Sequence, residues 1–300
     1  MRKRLSVVII LAVCVLSLVF ATGCSNKFTQ LKAKDENLGN YEGLEVAEGM
    51  SAYDLVMEAY KNWCNDENYV RDEYFSFAAN DGAVATRNTH LIRKIKGDEI
   101  YSQEIIFGTR FDKGSCTKKY YFDGENAYFT NVAGKKHISY DKANNVLSTT
   151  DWGKFAPFTG DVQEENRVLT EHMTTYDISS RDYLSKDHDD TVYVADGIYY
   201  CTITIDCREE IMKTVHRAAL DEFLANTGAK EEGFSCEDTT IDFAIAEIDG
   251  VMKMLIWKRN EKYSGNHASF FISVGCEQTC LAYFSYGNAE ITSQDIAGIA

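Results

Sequence analysis

Ile241-Asp-Phe-Ala-Ile-Ala-Glu-Ile-Asp-Gly-Val-Met-Lys253 decides the fold. Asp249-Gly250 is a pair suited to a two-residue hairpin turn, and it separates an expected strand over 239–248 from another over 251–263. The same two-residue period, cut by the same kind of turn, runs along much of the chain. Segments 69–79, 84–96, 100–107, 117–123 and 126–132 alternate apolar and polar residues between Asp81-Gly82, Gly97-Asp98 and Asp123-Gly124. Another hairpin is expected over 191–207 around Asp196-Gly197, and shorter strands over 268–274 and 281–286. Helical spacing appears twice. Ser51 and Asp54 suit a helix start, and Ala52, Leu55, Val56, Ala59, Tyr60 and Trp63 share one arc, so a helix over 51–63 should bury one face. Residues 208–226 predict a second helix, with Ile211, Met212, Val215, Ala219 and Phe223 on its apolar side and Gly228 ending it. Two helices among so many closely spaced strands leave too little chain for parallel crossovers. The expected class is α+β: a curved antiparallel sheet wrapped over helices.

The amino end carries a different message. Arg2, Lys3 and Arg4 precede an apolar stretch over 5–21, and Ala21-Thr-Gly-Cys24 closes it. That layout predicts a lipoprotein signal peptide over 1–23 with a lipid on the Cys24 sulfur, holding the chain at the extracytoplasmic face of the cell membrane. Residues 24–49, poor in large apolar groups, read as a flexible spacer, residues 50–290 as a single domain and 291–300 as a tail. The formal charge is −15, and losing residues 1–23 would remove three cations and no acid. So acidic a surface argues against nucleic acid and anionic headgroups as direct partners. The segment over 141–190 loses the alternation; a covering segment with a helix over 162–173 is expected there.

Nine cysteines are many for an exported chain. With Cys14 removed and Cys24 acylated an odd number remains, so at least one thiol stays free in a monomer. Cys276 and Cys280 bracket an expected turn and form the candidate disulfide, while Cys201 and Cys207 lie too far apart along one strand to bond to each other. Neither nucleophile elbow, zinc helix, phosphate loop nor dinucleotide fingerprint is present in the sequence. No cofactor or metal site is expected, and neither is catalysis. His216 reads as a semi-buried side chain, and Asp187-His-Asp-Asp190 as a solvated acidic loop rather than a calcium loop.

The lipobox-like start, the helix over 51–63 leading into strands, Tyr120-Tyr-Phe-Asp-Gly-Glu-Asn-Ala-Tyr128 and the 241–253 hairpin together resemble the LolA/LolB-like family of lipoprotein and lipid carriers. The resemblance implies an incomplete antiparallel barrel with helices on its concave face and room for acyl chains between them. It implies binding of an apolar ligand, a lipid or an acylated peptide, with Trp63, Val215, Ala219, Phe243 and Trp257 as candidate lining residues. The same residues could equally fill an ordinary core. In that case the chain would be an envelope sensor or scaffold engaging a membrane-protein partner.

Overall fold

The Asp-Gly turns at 196–197 and 249–250 adopt the geometry that the sequence demands. Asp249 and Gly250 have φ of 53° and 78°, and Asp196 and Gly197 have 52° and 78°, the left-handed pairs whose twist matches the strands they join. The computed structural model describes residues 33–80, 84–108, 116–123, 127–133, 136–139, 176–227, 229–266 and 273–297. The signal segment, Cys24, the start of the spacer and the expected 162–173 helix lie outside the described residues.

Among the described residues, thirteen strands form one sheet. They are β1 (Glu45–Val46), β2 (Asn68–Asn80), β3 (Val84–Lys96), β4 (Glu99–Gly108), β5 (Cys116–Asp123), β6 (Ala127–Ala133) and β7 (Lys136–Ser139), followed by β8 (Tyr193–Ala195), β9 (Ile198–Ile205), β10 (Ser235–Cys236), β11 (Thr239–Ile248), β12 (Val251–Asn266) and β13 (Ser273–Tyr286). The order is β1-β8-β9-β11-β12-β13-β2-β3-β4-β5-β6-β7, with β10 pairing the far end of β12 beyond β11. Neighbours are antiparallel, and the path ends on β1 and β7 without closing. The early meander β2–β7 and the late meander β11–β13 are joined by one long seam, β13 against β2, from Gly275↔Asn80 to Tyr286↔Tyr69.

That seam corrects the expected pair of short strands over 268–274 and 281–286. The described part is the single strand β13, hydrogen-bonded to β12 on one side and β2 on the other straight through Cys276 and Cys280. No turn can form where both edges are paired. Cys276 and Cys280 therefore stand four residues apart on one extended strand, about 13 Å, well beyond disulfide reach. Both are free thiols, so the candidate disulfide is withdrawn.

Helix α1 (Ala52–Cys64) begins as expected, with the Ser51 hydroxyl accepting from the Asp54 N–H at 3.2 Å. It buries Ala52, Leu55, Val56, Ala59, Trp63 and Cys64 and packs across β9, β11 and β12. The second expected helix is divided into α2 (Glu209–Thr214) and α3 (Arg217–Thr227). Neither Pro nor Gly causes the break. It falls at His216, which is buried between the rings of Tyr176 and Tyr183 while its Nδ1 accepts from the Asp177 N–H at 3.1 Å. A tertiary seat for one side chain has overridden helical continuity.

Side-chain alternation gives the sheet two faces. Trp63 of α1 meets Tyr69 and Phe284 on one of them, called the inner face below. The described part of the expected spacer crosses the other, a second correction. Leu38 is buried, Tyr41 stacks on Tyr193 with ring centroids 4.4 Å apart and bonds Thr202, and Tyr283 donates to Asp35 at 2.6 Å. At Gly39 a side chain would not fit: its φ is +70° and a β-carbon would stand 3.0 Å from Asp242 Oδ2. The tail is docked too. Ile291 and Ile296 pack on Tyr101 and Tyr121, and Lys94 binds Asp295 at 2.8 Å. Among the described residues, no helix is long and apolar enough to cross a membrane.

Candidate functional site

Alternation along β2 and β12 sends unexpected residues to the inner face. Tyr69, Arg71, Glu73 and Phe75 share one parity on β2, and Trp257, Arg259, Glu261 and Tyr263 share one on β12; all eight are buried. Arg93 on β3 stands directly opposite Arg71, and Gln278 on β13 opposite Glu261. Charges withdrawn from water need partners, and the inner face supplies them. Arg71 binds Glu73 two residues along the strand. Glu261 accepts from the Tyr176 hydroxyl at 2.5 Å and from Gln278 Nε2 at 3.0 Å, and pairs with Arg259 Nε at 3.0 Å. Tyr176 in turn accepts from Thr239 at 3.1 Å, and Thr239 from the Cys207 thiol at 3.4 Å. Burial first, then the Glu261 carboxylate, pushes the Tyr176 phenol well above its usual range, so it remains a donor. Burial and the neighbouring Glu73 do the same to the Cys280 thiol.

This polar band was not among the residues singled out from sequence. The signal was present in the parity: once Trp257 points inward, Arg259 and Glu261 must follow it.

Of the five candidate lining residues, three come together beside the band. Trp63 is 2% exposed and lies edge-on to Phe284 at 4.9 Å and to Tyr69 at 6.1 Å. The Arg71 guanidinium lies 5.5 Å from the Trp63 ring and 5.7 Å from the Trp257 ring, a cation held between two indoles. Phe243 stands opposite Trp257 across β11 and β12. The indole Nε1 atoms of Trp63 and Trp257 are buried without a hydrogen-bond partner among the described residues, and so is the hydroxyl of Ser102, which faces Arg93 from β4. Val215 and Ala219 belong to a different neighbourhood. Val215 is half-buried at the end of α2, and Ala219 is buried on α3 beside the His216 seat.

Asp190 has a structural role in place of the expected solvated one. Its Oδ1 accepts from the Tyr53 N–H at 2.9 Å and from Ser51 at 3.1 Å, and Arg181 reaches Oδ2 at 3.1 Å, so it caps α1. Partial burial would raise this carboxyl, but the three donors prevail and hold it below the ordinary carboxylate value. No cluster of three or more metal-ligating side chains occurs among the described residues.

Several solved structures are distantly similar to the chain. The chain is similar to a lipovitellin, from a study of lipid–protein interactions, at 7% identity and a TM-score of 0.29 over 76% of this chain, which spans only 26% of that one. It is similar to a DUF1329 family protein from Desulfovibrio piger at 12% identity and a TM-score of 0.26, covering 80% of this chain and 93% of that one. A LolA superfamily protein from Nitrosomonas europaea gives 10% identity and a TM-score of 0.22, covering 83% and 97%. Scores this low carry no argument, so the fold rests on the strand pairings above. No protein-family model and no curated protein matches the chain by sequence.

Proposed function

We propose that this chain is a non-catalytic lipoprotein, tethered by Cys24 to the extracytoplasmic face of the membrane, that holds an acyl lipid or acylated peptide between its helices and the inner face of an incomplete, LolA-like barrel. The carrying observation is the pair of indole donors on Trp63 and Trp257, buried without a hydrogen-bond partner among the described residues, in an aromatic layer around Arg71. Such orphaned donors cost stability unless something accepts from them. An acyl compound supplies what the layer lacks: a carbonyl or carboxylate oxygen for the donors and a chain for the aromatic walls. Burial supplies the affinity, at about 0.8 kcal/mol for each methylene removed from water.

Fluorescence quenching tests the reading. In a Trp152→Phe background, which leaves Trp63 and Trp257 as the fluorophores, a fatty acid brominated along its chain should quench saturably, and unbrominated fatty acid should reverse it. Absence of saturable quenching would refute the assignment. The anchor has its own test: Cys24→Ala should lose metabolic labelling by radioactive palmitate, and undiminished labelling would disprove acylation at that residue.

The scaffold reading draws on the same residues. Trp63 packs against rings of its own chain, and Phe243 and Trp257 are fully buried. In that reading the face is filled by its own side chains, and the acidic exterior is what a membrane-protein partner meets.

A further inference from the structure

The α2–α3 pair is an excursion from the sheet that leaves and returns at neighbouring points. The chain quits β9 at Ile205, which stands opposite Thr239 at the start of β11, and comes back through β10 just before Thr239. Each end of the excursion carries a cysteine: Cys207 two residues past β9, and Cys236 in β10. Cys207 is held against the returning strand at two points. Its N–H donates to Asp238 Oδ1 at 3.1 Å and its thiol to Thr239 Oγ1 at 3.4 Å. Cys236 is fixed from the other side, because it pairs with Tyr263 of β12 and the next residue, Glu237, donates its N–H to the Lys262 carbonyl at 3.0 Å. Cys236 precedes Asp238 and Thr239, the two residues that hold Cys207, by two and three positions, which brings both cysteines to the same end of the β9–β11 pair.

We infer that Cys207 and Cys236 are a modification site: a dithiol that closes to a disulfide and clasps the base of the α2–α3 excursion. Cys236 is half-exposed, whereas Cys64, Cys201, Cys207, Cys276 and Cys280 are buried, so an oxidant meets the pair through Cys236. The oxidant belongs to the class of low-molecular-weight disulfides. The Cys236 sulfur, as thiolate, attacks one sulfur of that disulfide and expels the other as a thiol, leaving a mixed disulfide. The Cys207 sulfur then attacks the Cys236 sulfur and releases the second thiol. The two cysteines lose two electrons and two protons, and the small disulfide gains both. Hydrogen bonding with Cys236 and Thr239 holds the Cys207 thiol below its usual range, and the same pairing raises the Cys236 thiol, so the first attack is the slow step and the second is favoured. The closed loop then encloses both helices, and a cross-link of that span restricts the unfolded chain far more than the folded one. This inference stands apart from the ligand reading and survives its failure.

Oxidised glutathione is the probe, and intact-mass spectrometry with peptide mapping is the readout on the full chain. The expected result is a loss of 2 Da, a peptide linking Cys207 to Cys236, and a melting midpoint several degrees higher that returns to its starting value with dithiothreitol. Cys207→Ser and Cys236→Ser should each abolish the mass loss and the shift, while Cys280→Ser should keep both. Should either serine variant misfold, the linked peptide from the wild-type chain still decides. A wild type that keeps its mass, or one whose linked peptide joins other cysteines, would overturn the inference.

Discussion

Glu261→Ala would leave Arg259 on the inner face without the carboxylate 3.0 Å away, and would strip Tyr176 and Gln278 of their acceptor. Removing one partner of a buried pair costs about 3–5 kcal/mol, because the remaining charge has no water to turn to. The expected outcome is an unfolding free energy, measured by urea titration, lowered by that amount, with much of the loss recovered in the double variant Arg259→Met, Glu261→Leu. A single variant that unfolds like wild type would mean that water or another group already solvates the arginine. Residues of this kind show where sequence reading stops. Alternation assigns Arg259 and Glu261 to the inner face as firmly as it assigns Trp257, yet charged residues are ordinarily expected in solvent. What makes them tolerable is Tyr176 and Gln278, distant in sequence from at least one partner each, and no periodicity announces such a meeting.

At the scale of elements, the hairpins over 239–263 and 191–205, the α1 cap and the early meander were legible because each is written locally, in Asp-Gly pairs, a Ser51 cap and strict alternation. The divided second helix and the unbroken β13 were not. Both depend on contacts from elsewhere: a seat between Tyr176 and Tyr183 for His216, and the two flanking strands for Cys276 and Cys280. The His216 seat leads to a prediction in pH. Burial lowers its folded-state pKa from the ordinary value of 6.5, so in acid the unfolded chain takes up a proton that the folded chain resists. Its contribution is intact above pH 6.5 and declines as the pH falls from there toward the folded-state value. Melting temperature followed from pH 8 downward should therefore drop less steeply in His216→Phe than in wild type. Parallel curves would show that the imidazole is not the group that titrates.

For the whole molecule, two long-range features settle the architecture: the seam of β13 on β2, and the strap of residues 33–49 across the outer face. Sequence periodicity predicted a curved antiparallel sheet with helices, and the resemblance an incomplete barrel; the sheet is antiparallel and its path is not closed. Periodicity did not predict the strap, because Lys34, Asp35 and Tyr41 engage partners about 160 residues or more away, Tyr200, Tyr283 and Thr202. Of the candidate lining residues, Trp63, Phe243 and Trp257 converge on the inner face, while Val215 and Ala219 sit beside a separate histidine seat. The central claim, that an acyl compound occupies the layer between the helices and the inner face, is tested most directly by native mass spectrometry of the full chain purified from membranes. The account predicts a discrete adduct of acyl-lipid mass that denaturation releases, restored when fatty acid is added to stripped protein and weakened by Ala282→Trp, directly opposite Trp257 on the inner face. A chain that is ligand-free as isolated and takes up no fatty acid when it is supplied, with Ala282→Trp merely lowering the melting temperature, would contradict it.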